Sequence, residues 1–165
     1  MNNELIGVSV PRHFILDVDG VFTDGKIYCS SEGKVFKVFG PDDHDALKLI
    51  QGKIKLTVVS ADRRGFPISR RRIEGDMGLD LHLVGSQERL DWISERFDPQ
   101  ECVYMGDGIF DPLVFKGVAY SIAPKNASLR TQASANFVTS TRGSEGAVAE
   151  ATLHLIDRFF GGFKI

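Results

Sequence analysis

Short apolar runs rich in branched residues alternate with stretches of helical periodicity along the 165-residue chain, and few architectures accept that alternation. Strands are predicted near His13–Asp19, Lys55–Ser60, Leu79–Val84, Cys102–Met105, Val118–Ile122 and Asn136–Val138. Helices fit between them over Asp43–Gln51, Pro67–Gly75 with Pro67 in the first turn, Ser86–Phe97 with Ser86 as N-cap, Ile109–Lys116, and Gly146–Phe160. In the last helix Val148, Leu155, Ile156 and Phe159 recur at helical spacing, so one face should pack on the sheet. The expectation is an α/β domain with a mostly parallel sheet.

The length suits one domain over residues 1–165, with no internal repeat, low-complexity tract or linker. A formal net charge of -2 gives no global attraction to nucleic acid or anionic lipid. The basic residues Arg63, Arg64 and Arg70-Arg71-Arg72 read as a solvated helix face, because no aromatic platform accompanies them. Neither a nucleic-acid nor a membrane partner is expected, since no apolar run approaches a membrane span and the first residues lack an export signal. Cys29 and Cys102 form neither a metal pattern nor a disulfide framework, which fits a reducing, cytoplasmic setting.

One segment breaks the rhythm. Lys26–Phe39 reads as two strands around the turn signal Ser-Ser-Glu-Gly, a β-hairpin inserted after the first strand. Its second arm, Val35-Phe36-Lys37-Val38-Phe39, is apolar on both faces. A projecting hairpin buries only one face on its own core, so the other is expected to meet a partner subunit.

In open α/β sheets ligands bind beyond the carboxyl ends of the strands, which directs attention to three places. The first strand ends in Asp17-Val18-Asp19-Gly20-Val21, the second in Ser60-Ala61-Asp62, and the fourth in Gly106-Asp107-Gly108-Ile109-Phe110-Asp111. Two carboxylates one residue apart repel, and a divalent cation relieves that repulsion; hard oxygen donors favour Mg2+. Asp17, Asp19 and Asp107 are the expected metal residues, with Asp111 supporting them. A carboxylate can attack phosphorus, which assigns Asp17 as nucleophile and Asp19 as acid/base partner. Gly20 permits close approach to a phosphate, and Ser60, with Ala61 beside it, and Arg89 are expected to hold phosphate oxygens.

The residues Asp17–Gly25, Ser60 after Leu56–Val59, Arg89, and Gly106–Asp111 stand in the order of the four motifs of the haloacid dehalogenase superfamily. With the hairpin, no room for a cap domain, and the ending Gly146-Ala147-Val148, the chain resembles the capless branch typified by octulosonate 8-phosphate phosphatases, from roughly Phe14 to Asp157. The resemblance implies a Rossmann-like three-layer sandwich, a magnesium-dependent phosphatase of a small sugar phosphate, and a homotetramer through hairpin 26–39 in which neighbouring subunits help close each site.

Three departures bear on substrate. Asp42 stands where that branch carries Arg before the acid matching Asp43, Asp62 replaces the Arg of Thr-Gly-Arg, and Glu145 replaces that of Gly-Gly-Arg-Gly. Such acids would repel a substrate carboxylate, so a sugar phosphate lacking one is expected unless Arg63, Arg64 or Arg142 restores the charge. Asp42, Asp43, His44 and Asp62 are the candidate substrate contacts; His13, His82 and His154 read as structural. A catalytically silent oligomerisation module is the alternative reading, and retention of Asp17, Asp19, Asp107 and Asp111 argues against it.

Overall fold

A computed structural model describes residues 9–162. Its elements are β1 (His13–Asp17), β2 (Tyr28–Ser30), β3 (Gly33–Phe36), α1 (Asp43–Ile50), β4 (Lys55–Ser60), α2 (Phe66–Arg70), β5 (Asp80–Leu83), α3 (Arg89–Ser94), β6 (Cys102–Met105), α4 (Asp111–Phe115), β7 (Tyr120–Ala123), α5 (Leu129–Ser134), β8 (Phe137–Val138) and α6 (Ala147–Phe159). The main sheet has six strands in the order β5-β4-β1-β6-β7-β8, every neighbouring pair parallel. The chain therefore builds outward from β1 to one side, then returns and builds to the other. That reversal opens a crevice at the carboxyl ends of the strands flanking β1.

Burial explains why the central strands read as unbroken apolar runs. The β6 and β7 residues are all buried, and β1 is buried from Phe14 onward, because helices cover both faces. Phe14, Leu16, Val58, Val103 and Met105 face one core, which Leu47 and Ile50 of α1 and Val148, Leu155 and Ile156 of α6 complete. Ile15, Val59, Tyr104 and Ala123 face the other, against Ile93 of α3 and Val114 and Phe115 of α4. Alternation along each strand thus divides one sheet between two cores.

Register places the site. Leu16 stands level with Val58 and Met105, and Asp17 with Val59, so Ser60 and Gly106-Asp107 emerge beside the end of β1. The pairing β2–β3 forms the expected hairpin, with Tyr28 stacked on Phe36 at 4.5 Å and an antiparallel bridge between Thr23 and Phe39 at its root. Ile27, Val35, Phe36 and Val38 are exposed on it.

Two local expectations are corrected, and one element is added. The helix expected from Ser86 begins only at Arg89: Glu88 N donates to Gly85 O, making a turn of Gly85–Glu88, and Ser86 faces the cleft instead of capping a helix. The helix expected over Pro67–Gly75 is α-helical only through Arg70 and continues as a π-helical stretch over Arg71–Asp76. Gly75 leaves room there for the Arg71 guanidinium, which a side chain at 75 would meet. Helix α5 was not foreseen; Ser128 caps it by accepting from Thr131 N at 3.1 Å.

Candidate active site

A cleft of about 450 Å³ opens where the crevice was expected, lined among others by Asp17, Asp19, Ala61, Asp62, Arg89, Asp107 and Asp111. A larger groove, about 660 Å³, lies toward the amino ends of β1 and β4, lined by Arg12, Lys53 and Lys55 among others. The carboxylate cluster is absent from that groove.

Asp17 sits at the last position of β1, 5% exposed, where the strand's buried face delivers its carboxylate inward. Oδ1 accepts from Val18 N at 2.8 Å, and both oxygens accept from Arg89, from Nη2 and Nη1 respectively. Arg89 Nη1 also donates to Tyr104 Oη and to Asp111 Oδ1. Asp111 is fully engaged: Tyr104 Oη donates to Oδ1 at 2.9 Å and Gly108 N to Oδ2 at 2.7 Å. This network ties β1, β6, α3 and α4 together behind the cleft.

Asp17, Asp107 and Asp111 each place an oxygen within 4.8 Å of the others, a grouping able to hold a metal ion. Burial first, and then the nearby carboxylates, push Asp17 up to about 6 against the pull of Arg89. Asp107 rises to about 8, again through burial first and then Asp17 and Asp111. Acids held so close in a buried place repel unless protonated or bound to a cation, and oxygen donors of this kind suit a hard divalent ion. Gly20 adopts φ +82, and a β-carbon on it would run into the Asp107 carboxylate, so the loop after β1 closes over this acid only with glycine there.

Asp19 is placed differently. Its Oδ2 accepts from Ser60 Oγ at 3.0 Å and its Oδ1 pairs with Lys37 Nζ at 2.7 Å. Ser60 is fully buried, and its Oγ also accepts from Asp62 N at 3.1 Å. Asp62 pairs with Lys34 and, at 2.9 Å, with Lys37. Although burial pushes Asp62 upward, the hydrogen bonds from Lys34, Gly65 N and Lys37 bring it down to about 2. The acid that stands in place of an expected arginine is thus balanced by two ammonium groups from the hairpin.

Of the sequence candidates, the cleft takes in Asp17, Asp19, Ala61, Asp62, Arg89, Asp107 and Asp111, while Gly20, Ser60, Asp42, Asp43 and His44 do not line it. Asp43 instead meets the start of α6, where its Oδ1 accepts from Ala149 N at 3.0 Å. Asp42 precedes α1 with φ 63. Four participants were missed. Lys37 was signalled by being the one charge in an apolar arm, and Lys34 by preceding it at hairpin spacing. Tyr104 carried no signal beyond its strand. Asn126 clasps the loop after β1, its Nδ2 donating to Gly20 O at 2.8 Å while its Oδ1 accepts from Gly143 N at 2.7 Å, and nothing in its spacing marked that role.

No protein-family model matches the chain. The 3-deoxy-D-manno-octulosonate 8-phosphate phosphatase KdsC of Haemophilus influenzae is 32% identical over 145 residues, covering 84% of this chain and 79% of that protein. The KdsC of Yersinia pestis is 31% identical over 144 residues, covering 84% and 76%. Among solved structures, the cobalt-bound octulosonate 8-phosphate phosphatase of Haemophilus influenzae superposes with a TM-score of 0.79 at 27% identity, over 90% of this chain and 88% of the other. The Moraxella catarrhalis enzyme, in complex with magnesium, phosphate and KDO, superposes with a TM-score of 0.78 at 25% identity over 91% and 88%.

Proposed function

Because this chain belongs to the KdsC-like family of haloacid dehalogenase phosphatases, we propose that it hydrolyses a small sugar phosphate through an aspartyl-phosphate on Asp17. The observation that carries this reading is the meeting of Asp17, Asp107 and Asp111 within 4.8 Å at the strand ends, beside Asp19. The oxygens of Asp17 and Asp107 are the residues' offer to Mg2+, which when bound orients the phosphate and offsets its charge. Asp111 serves this pair from behind through Arg89 and Tyr104. Asp19 was expected among the metal residues; its carboxylate is given to Lys37 and Ser60 here, which suits proton transfer better.

In the first step an Asp17 oxygen forms a bond to phosphorus as the bond to the sugar oxygen breaks. The departing oxygen keeps the electron pair and takes a proton from Asp19. In the second step Asp19 accepts a proton from water, the water oxygen bonds to phosphorus, and the bond to Asp17 breaks to release inorganic phosphate. Arg89 was expected at the phosphate oxygens; its guanidinium is given to Asp17, Tyr104 and Asp111 here, which suits holding Asp17 in place for both steps. Ala61 borders the cleft where the phosphate oxygens would sit, while Ser60, fully buried, supports Asp19 from behind.

The substrate is proposed to be a sugar phosphate without a carboxylate. Of the hairpin's lysines, Lys26 and Lys34 line the cleft, and Asp62 already occupies Lys34 together with Lys37 behind it. A substrate carboxylate would compete with that internal acid. Asp42 and Glu145, the other two acids at positions of expected arginines, are exposed. Assembly through hairpin 26–39 is part of the proposal, supported by the exposed Ile27, Val35, Phe36 and Val38. A cytoplasmic location is supported by two free cysteines; among the described residues no helix is long and apolar enough to cross a membrane.

The test is turnover of p-nitrophenyl phosphate, expected to need magnesium and to vanish in Asp17→Asn. A panel of phosphates should then favour neutral hexose and heptose phosphates over octulosonate or nonulosonate phosphates. Silence across the panel from an intact oligomer would favour the non-catalytic module instead.

A further inference from the structure

Lys37 is a lysine buried in a hairpin arm whose other residues are apolar, and its side chain is only 2% exposed. An ammonium carries three N–H donors. Here Nζ lies 2.7 Å from Asp19 Oδ1, 2.9 Å from Asp62 Oδ2 and 2.8 Å from Ser69 Oγ, so all three have an acceptor. Burying an ammonium is costly unless its partners are complete, and a hairpin needs no such group for its own pairing. The charge is directed at the active site.

We propose that Lys37 is a positioning residue for proton transfer: the hairpin, through this one ammonium, sets the direction of the Asp19 carboxylate. The proposal rests on the reading of Asp19 as acid/base above. Lys37 itself does not line the cleft, so it acts through Asp19 and not on the substrate. The opposite oxygen of Asp19 accepts from Ser60 Oγ at 3.0 Å, and Ser60 belongs to β4. One carboxylate is therefore held between a rigid strand and an inserted hairpin. Freed from Lys37, it would keep one anchor and gain a rotation about its side-chain bonds. Proton delivery demands hydrogen-bond reach to the leaving oxygen, and a misdirected acid slows the first step most for esters whose leaving oxygen needs the proton, whereas its loss as base in the second step is common to every ester.

That selectivity makes the idea testable. Substituted phenyl phosphates, from phenyl to 2,4-dinitrophenyl, share a shape but differ in how much the departing oxygen needs a proton. With magnesium present, the full chain carrying Lys37→Met is expected to lose at least ten-fold more kcat/KM, which reports the step in which the leaving oxygen departs, on phenyl phosphate than on 2,4-dinitrophenyl phosphate. Lys37→Arg should bring that ratio back to within about three-fold of the parent. Asp19→Asn should show the same selective loss, and adding Lys37→Met to it should change the ratio by less than about two-fold. An equal loss on both esters in Lys37→Met, or an unchanged ratio, overturns the proposal, since a lysine that only holds the hairpin would act on both alike. If Lys37→Met does not fold, Ser69→Ala removes one of the ammonium's three partners, and its ratio should move in the same direction by two- to three-fold; no movement overturns the proposal as well. Persistent turnover in Asp17→Asn would instead overturn Asp17 as the nucleophile, and silence of the parent chain across the phosphate panel would overturn the phosphatase reading, leaving the failures distinct.

Discussion

Arg89 grips Asp17 through both carboxylate oxygens, each at 2.9 Å, with the two side chains buried together. The fork fixes the plane of the nucleophile's carboxylate, and the same guanidinium reaches Asp111 at 3.2 Å. A lysine supplies charge at one point and cannot reproduce two parallel bonds. Arg89→Lys is therefore expected to fold and to lose about 100-fold in kcat through misplacement of Asp17. Arg89→Met leaves two buried acids without their cation and should cost about 3–5 kcal/mol in urea unfolding. A variant as stable as the parent would show that the pair contributes little.

Magnesium and pH should act on stability together. Asp17 at about 6 and Asp107 at about 8 lie above the unfolded value near 3.9, so between these limits the folded state holds protons that the unfolded chain has released. For raised acids the sign is unfavourable: as pH climbs from about 4 through 6 and 8, the metal-free protein loses stability at these groups. A divalent ion competes with those protons. The rise in Tm on adding magnesium to chelator-treated protein should therefore be larger at about pH 8.5 than at about pH 5.5, read by thermal melts. Equal increments would disconnect the cation from these carboxylates.

Asp43 offers a second pH handle away from the cleft. It is 3% exposed, pushed up to about 6 by burial against the opposing hydrogen bonds of Ala149 N and Val148 N, and its Oδ2 is buried without a hydrogen-bond partner. Its ionisation above the unfolded value again weakens the fold as pH rises, here between about 4 and 6. Asp43→Asn keeps an acceptor for Ala149 N and removes the charge. Its stability should fall less steeply than the parent's across that window in urea titrations, and parallel curves would refute the assignment.

Gly143 tests the clasp around the loop after β1. A β-carbon there would run into the carbonyl oxygens of Gly20 and Thr23, which are backbone and cannot swing aside. Gly143→Ala should displace the segment carrying Asp19 and Gly20, lowering kcat on p-nitrophenyl phosphate by about 100-fold, while overpacking costs about 1–3 kcal/mol of stability. Full activity in a folded Gly143→Ala would show that the loop yields freely.

The strands at His13, Lys55 and Cys102 were legible because burial on both faces writes itself as continuous apolar sequence. Asp17, Asp107 and Asp111 were legible because acids directly after such runs have little structural use. Helix α5 was not: it has six residues, Leu129 on it is exposed, and its stability is lent by the Ser128 cap. The start of α3 was misplaced because Ser86 satisfies a capping pattern whose geometry the Gly85–Glu88 turn denies it. Asp62 read as a repulsive acid because its balancing charges, Lys34 and Lys37, lie 28 and 25 residues earlier on an inserted arm. Spacing along a chain reports neighbours within an element; it is silent about which arms fold back over which ends.

Asn126 joins Gly20 to Gly143, and Glu150 in α6 collects Ser140 and Thr141 through both their amides and hydroxyls. The segment bearing the reactive acids is thereby fastened by residues that come more than a hundred positions later, from Asn126 to Glu150. During synthesis an emerging chain would possess its nucleophile long before it possessed the buckle that steadies it, so competence arrives with the last helix rather than with the first strand. Loss of that helix should silence the enzyme even though none of its residues lines the cleft.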